Sequence, residues 1–282
     1  MPTIPKRIEI CSFPQGKRIA VTTSFDDGDE GDRRIIASFN EWGLKGTFNL
    51  NSGSLRTNGI KSEYDTNQKL DRSEIAEVYK GHEVAIHTIT HPGLSRLDAS
   101  QIACEVLEDR KALEDLVGYP VRGMAYPFGD YNKQVVEILR SLGIVYCRTC
   151  NVVSPCFPPA EPLLWGSTGH MYSQNPTIPE QFEKLYAIPY YSGVFFVWGH
   201  AFEFHNKKDW ASLERIFKPL SGKPDVWYCT NIELFDYEEA RKRIAIAANR
   251  ATVFNPSALT VTLNVDGTLI DVPGGKTISL AK

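Results

Sequence analysis

Short apolar runs alternate with longer amphipathic stretches along most of the chain. Runs rich in β-branched and aromatic residues at 18–25, 45–51, 82–86, 121–125, 144–148, 194–198 and 226–229 have the length and composition of buried strands. Between them the pattern shifts to a helical period at 32–42, 73–79, 98–116, 133–142, 180–187, 209–217 and 232–249. In the most regular of these, Ile102, Val106, Leu113 and Leu116 fit one buried stripe, and Gly43 and Gly143 end two others. Strand followed by helix, repeated about seven times, predicts a parallel sheet with helical crossovers. Residues 56–70 form a polar excursion without a period, and the Pro- and Gly-rich residues 154–179 read as a long loop over one face.

The pattern changes after residue 250. Runs at 259–263, 269–272 and 277–280, with a turn at Asp266-Gly267, predict a small antiparallel appendage. The chain thus divides into an α/β domain over residues 1–250 and a β extension over 251–282. Such a ribbon is marginal alone, so it is expected to pack on the barrel or to join two subunits in a homo-oligomer.

The length, 282 residues, suits a single α/β barrel, and 42% hydrophobic with 23% charged residues is ordinary for a globular protein. A formal net charge of −3 gives no sign of a nucleic-acid surface or a polybasic membrane patch. No apolar run reaches the roughly 20 residues that span a bilayer, and the first residues lack a signal-peptide core, so a cytoplasmic location is expected. Six dispersed cysteines read as reduced thiols. Cys147 and Cys150 have the gap of a zinc knuckle or redox pair, but no second pair follows.

Chemistry-bearing residues gather at one kind of position. Asp26 and Asp27, His87 and His91, Tyr126 to Gly129, Arg148 and His200 each lie at or just after the C-terminal end of an expected strand. In a parallel barrel those ends share one face. Adjacent carboxylates on a strand point to opposite sides, so one can hold a cation while the other handles a proton; taken alone, the pair also fits a helix cap. The spacing of His87 and His91 would put both imidazoles on one side of a helical turn. With one carboxylate, for which Asp27 is the best candidate, they suit a zinc-like divalent ion with positions left for water and a substrate oxygen.

These residues carry a family resemblance. Ser24-Phe25-Asp26-Asp27-Gly28 is similar to the first motif of the polysaccharide deacetylases, the NodB-homology carbohydrate esterases. His87-Thr-Ile-Thr-His91-Pro92 resembles their His-Ser/Thr-x-x-His-Pro motif, Tyr126-Pro-Phe-Gly129 the third motif, and Phe195 to His200 the strand bearing the final histidine. The match runs in order over about residues 18–237. It implies a distorted (β/α)7 barrel and metal-dependent removal of an N-acetyl group, usually from an amino sugar. By the same resemblance Asp27, His87 and His91 hold one divalent metal, zinc with cobalt, manganese or iron as alternatives. Asp26 takes a proton from the metal-bound water, a backbone N–H near Phe128 helps stabilise the oxyanion, and His200 protonates the departing amine.

One departure stands out. The family's third motif carries an arginine that pairs with the catalytic aspartate, and here Ala125-Tyr126-Pro127-Phe128 has none. Arg148, at the end of the next strand, is expected to supply that charge to Asp26. Tyr126 and Phe128 are expected to contact substrate. Trp165 and His170 would reach the site from the long loop, although a buried indole anchoring that loop fits Trp165 equally well. Phe202 and Phe204 read as wall or core. The leading expectation is a deacetylase acting on a small-molecule or oligosaccharide substrate. Its alternatives are a metal-independent, allantoinase-like opening of a cyclic amide and a carbohydrate-binding protein without catalysis.

Overall fold

The first long apolar run organises the molecule. In the computed structural model, which describes residues 4–64 and 68–281, it is the strand β2 (Ile19–Asp26), buried along its whole length. The elements run β1 (Ile8–Ile10), β2, α1 (Asp32–Trp42), β3 (Thr47–Leu50), α2 (Ile75–Val78), β4 (Glu83–Ile86), α3 (Ala99–Val117), β5 (Gly123–Ala125), α4 (Lys133–Ser141) and β6 (Tyr146–Val152). They continue with β7 (Trp165–Ser167), β8 (Gly169–His170), α5 (Ile178–Tyr186), β9 (Gly193–His200), α6 (Ala201–Asn206), α7 (Ala211–Phe217), β10 (Val226–Tyr228) and α8 (Asn231–Lys242). The chain ends with β11 (Ala245–Ile246), β12 (Thr252–Phe254), β13 (Val261–Val265), β14 (Thr268–Val272) and β15 (Thr277–Ser279).

The central sheet is parallel, in the order β7-β6-β5-β4-β3-β2-β9-β8. The segment 165–170 pairs with β6 through β7 and with β9 through β8, which closes a ring of seven strand positions. The result is a distorted barrel of the expected kind, with one change of membership. The expected loop 154–179 contributes the closing strand, whereas β10 pairs only with the first half of β2. Gly166 explains the close packing there: a Cβ would lie 2.9 Å from the Asn151 carbonyl oxygen.

Strand alternation sorts side chains between two layers. Val21 and Phe25 point outward to the helices, where Phe25, Phe39 and Phe217 meet with ring centroids 5.2–5.8 Å apart. Each buried phenyl is worth roughly 1.5–3 kcal/mol. Ala20, Tyr146, Trp165 and Phe196 form a separate cluster that fills the lower lumen. Asp26 shares Ala20's parity on β2, Arg148 shares Tyr146's on β6, and His200 shares Phe196's on β9, so these polar side chains enter the lumen above the apolar floor.

The helices begin where local signals place them. Asp98 caps α3, accepting the Ser100 and Gln101 N–H groups at 2.9 Å while Gln101 returns a bond to the Asp98 N–H. Helix α3 buries Ile102, Val106 and Leu113 as expected, leaves Leu116 half-buried, and also buries Asp109. The expected helix 232–249 stops at Lys242 because Ile244 joins a second apolar core. There β13 pairs with β1 and β14, and β12 pairs with β11 and β15. The C-terminal strands therefore find partners within this chain, and Val261 packs with Tyr237 and Ala240 of α8.

Candidate active site

Three conditions bring the site together at the mouth of the lumen. The first is register: Asp26 at the end of β2 lies directly beside Asn49 on one side and His200 on the other. The second is parity, which turns Arg148 inward. The third is a set of left-handed turns just after the strands, where Asp27 (φ 82°), Thr88 (φ 68°), His91 (φ 60°) and Phe128 (φ 58°) take a backbone conformation that costs a side-chain-bearing residue energy. Four such positions at or beside one cavity make it a candidate functional site.

Asp26 is 2% exposed. Its Oδ1 accepts from Asn49 Nδ2 at 2.9 Å, and its Oδ2 accepts from an Arg148 guanidinium nitrogen. Burial would push this carboxyl up. The Arg148 charge, with His87 and His200, outweighs burial and holds its pKa at about 2. The arginine missing from the third motif thus has a geometric counterpart on the neighbouring strand, with Arg148 itself 1% exposed and its guanidinium 4.5 Å from the Trp198 ring centre.

Beside this pair, one carboxylate and two imidazoles converge. Asp27 Oδ1 lies 3.7 Å from His87 Nε2 and 3.6 Å from His91 Nε2, and the donor atoms of the three residues all fall within 4.8 Å of one another. Burial lowers the pKa of both histidines, to about 4 for His91, where the His87 charge adds to the effect. Both rings therefore stay neutral near pH 7. His87 Nδ1 meets the Ala125 carbonyl at 2.8 Å, which fixes the tautomer and leaves the Nε2 lone pair for an ion. The two histidines do not lie on a helical turn: residues 87–91 form an irregular loop, because left-handed Thr88 and His91 redirect the backbone. That loop is pinned by Asn51 Nδ2, which donates to the Thr88 carbonyl at 3.0 Å, and by Glu105, which accepts from the Thr90 N–H at 3.0 Å.

His200 faces the same cavity, with Nε2 3.8 Å from Asp26 Oδ2. Its Nδ1 meets Glu203 Oε1 at 2.7 Å, and the same oxygen takes His170 Nε2 at 2.9 Å. Burial would lower the His200 pKa, but the Glu203 hydrogen bond and the Asp26 and Asp27 charges raise it above the ordinary value. Glu203 is itself held at about 2, its burial outweighed by the two histidines.

The cavity holds about 770 Å³ and is walled by Tyr126, Phe128, Trp198 and Phe202 among others. Phe128 is 71% exposed at the rim and its ring stands 4.4 Å from that of His91. Two expected contacts fall elsewhere. Trp165 is wholly buried in the lower lumen, its Nε1 donating to the Cys156 carbonyl at 2.9 Å, and the indole at the cavity is Trp198. His170 does not line the cavity and touches the site through Glu203. Cys147 and Cys150, three apart on one strand, split between core and cavity wall.

Several participants lie outside the motifs. Glu203 sits three residues past His200, in α6, which the periodicity left unassigned. Asp109 interrupts the apolar stripe of α3, and that interruption was the available signal: its oxygens accept the Ser52 N–H at 2.7 Å and the His87 N–H at 3.0 Å. Lys69, from the polar excursion, donates to the Asp27 carbonyl at 2.6 Å.

The Asp-His-His cluster beside the Arg-held carboxylate is a group of side chains that could hold a divalent ion. Residues 14–147 match the family model described as polysaccharide deacetylase. The chain is 30% identical over 139 residues to the peptidoglycan-N-acetylglucosamine deacetylase PgdA of Listeria monocytogenes, covering 48% of this chain and 27% of that protein. It is 36% identical over 83 residues to a chitooligosaccharide deacetylase of Bradyrhizobium, covering 29% of this chain and 36% of the other. The match therefore spans about a quarter to a third of these relatives' own lengths. In fold it is similar to a Mycobacterium smegmatis structure described as a polysaccharide deacetylase, with a TM-score of 0.58 at 19% identity over 86% of this chain and 96% of the other. Among the described residues no helix is long and apolar enough to cross a membrane.

Proposed function

We propose that this chain removes an N-acetyl group from an amino sugar, free or within an oligosaccharide: water splits the amide C–N bond and yields acetate and an amine. The observation that carries the reading is the placement of three groups on one cavity, namely the Asp27-His87-His91 donors, the Arg148-held carboxylate of Asp26 and the Glu203-held imidazole of His200. One carboxylate and two neutral imidazoles, one with its tautomer fixed by a backbone carbonyl, suit zinc, cobalt, manganese or iron. The ion, when bound, supplies Lewis acidity toward the acetyl carbonyl and the attacking water.

The chain's own residues do the rest. Asp26, ionised at any physiological pH, accepts the proton that the attacking water loses. His200 carries a proton on Nε2 toward the cavity and delivers it to the departing nitrogen, which leaves as a neutral amine, while its Nδ1–H stays on Glu203. The Phe128 N–H serves the developing oxyanion. Tyr126, Phe128 and Trp198 bound the apolar side on which the acetyl methyl and sugar face rest.

The test pairs metal content with product. Zinc-loaded, desalted protein should hold about one equivalent of metal and release acetate from acetylated amino sugars, and a chelator should stop the release. The His87→Ala/His91→Ala double variant should retain little metal. A zinc-loaded chain that releases no acetate from any acetamido sugar overturns the reading.

A further inference from the structure

A second chamber adjoins the catalytic cavity. Phe202 of α6 lines the cavity and also lines this chamber of about 570 Å³, built from the turn after β2, the first turn of α1, and Trp210. Both volumes fall in the range of ligand sites. One side chain shared by two cavities places them side by side.

The second chamber has an aromatic wall and a surplus of positive charge. Trp210 stacks on Phe204 at 5.2 Å between ring centres. Gly31 lets the turn approach that indole, since a Cβ there would lie 2.8 Å from the ring. The chamber's acids are already engaged. Glu30 takes Arg33 at 2.9 Å, and Asp29 Oδ1 accepts the Gly31 N–H at 2.8 Å. Arg34 lies 4.8 Å over the Trp210 ring, and neither it nor Lys61 has a carboxylate partner among the described residues. A guanidinium stacked on an indole keeps its N–H edge free for an anion.

We infer that this chamber is a second subsite that receives an anion-bearing unit, carboxylate or phosphate, linked to the acetamido sugar in the catalytic cavity. The inference rests on the deacetylase reading for what fills the first cavity. Trp210 holds the Arg34 guanidinium in place, and Arg34 with Lys61 binds the anion of the second unit. The substrate class is an acidic acetylated disaccharide or sugar conjugate, in preference to a neutral one.

Direct binding tests this without turnover. Non-hydrolysable methanesulfonamido analogues of a neutral disaccharide, of its second-unit 6-carboxylate and of its second-unit 6-phosphate are titrated into the full chain by calorimetry. The anionic analogues should bind about fivefold to tenfold tighter than the neutral one, with the margin shrinking as salt rises. The better of the two identifies the anion. Arg34→Glu, a change on an exposed helix position, should abolish the margin between the anionic and neutral analogues. Equal affinities in the wild type, a margin that survives both Arg34→Glu and Lys61→Glu, or no binding of any analogue each overturns the inference. Acetate release from the acetylated counterparts, measured separately, reports on the deacetylase reading: an intact anion preference without acetate sinks that reading and leaves the subsite standing.

Discussion

The lumen of the barrel contains two buried carboxylates in two layers, and they are held in opposite ways. At the mouth, Asp26 faces Arg148 and is driven to about 2. On the floor, Glu83 accepts from Thr47 Oγ1 at 2.8 Å, Tyr146 Oη at 2.6 Å and the Ile232 N–H at 2.8 Å, with no ion-pair partner among the described residues. Burial pushes Glu83 up to about 7 despite those three bonds. Neutral donors offset only part of the desolvation of a carboxylate, whereas a guanidinium with two imidazoles beside it reverses it. The proposed chemistry uses the carboxylate that has the counter-charge, and the floor carboxylate ties the start of α8 to the strands.

The largest effect comes from breaking the upper pair. Asp26→Asn should lower acetate release about a thousandfold while the protein still folds. Arg148→Met leaves a buried carboxylate without its partner and should cost about 3–5 kcal/mol of stability, read from denaturant unfolding. The Asp26→Asn/Arg148→Met double variant removes both charges and should recover most of that stability without recovering activity. An Arg148→Met single variant as stable as wild type would show that the pair does not hold the upper layer together.

The lower layer makes a prediction of the opposite kind. Glu83 in the folded protein titrates near 7, above its ordinary value of 4.5. The folded state therefore binds a proton that the unfolded state has released. The stability this contributes is complete below pH 4.5 and is lost as pH rises through about 7, a difference on the order of 3 kcal/mol at most. Glu83→Gln should flatten that part of the curve, while Asp109, pushed up by burial to about 7 as well, keeps a residual slope of the same sign. Unfolding free energies at pH 5 and pH 8 for both proteins check this. A wild-type and variant pair with equal pH slopes would mean that Glu83 titrates normally.

A smaller effect separates the acid from its support. Glu203→Gln keeps the shape beside His200 but removes the carboxylate that raises its pKa. If His200 is the acid proposed above, it must be protonated to act, so the alkaline limb of kcat should move to lower pH, with about a tenfold loss at pH 8 and far less at pH 6. A uniform loss at every pH would point to mere misplacement of the ring.

The upper layer was legible in the residue pattern to the extent that its parts sit at strand ends. Asp26, Asp27, His87 and His200 close apolar runs and His91 follows one within a short loop, and a parallel sheet collects such ends on one face. Arg148 was legible by the same rule, once the third motif proved to lack its arginine. Glu203, Asn49 and Lys69 were not, since nothing local sets a carboxylate on a short helix or a lysine in an aperiodic excursion apart from its neighbours. The closing strand 165–170 was hidden for a related reason: three residues at β7 and two at β8 are too short to show a period, and Pro and Gly around them read as loop.

The two indoles of the lumen sharpen the contrast between layers most finely. Trp165 fills the floor, its ring 5.4 Å from Tyr146 and 5.0 Å from Phe196, with its N–H spent on a backbone carbonyl. Trp198 stands at the mouth, under the Arg148 guanidinium and 4.7 Å from the His170 ring. Trp165→Phe should therefore cost about 1–2 kcal/mol of stability from lost packing and an unpaired carbonyl, and leave kcat/KM unchanged. Trp198→Phe should do the reverse: it keeps an aromatic face over Arg148, so stability changes little, but the narrower ring opens the cavity wall and raises KM a few-fold. Melting curves and initial rates on the same two variants separate the layers, and a Trp165→Phe protein that loses activity at full stability would place the floor within the catalytic machinery after all.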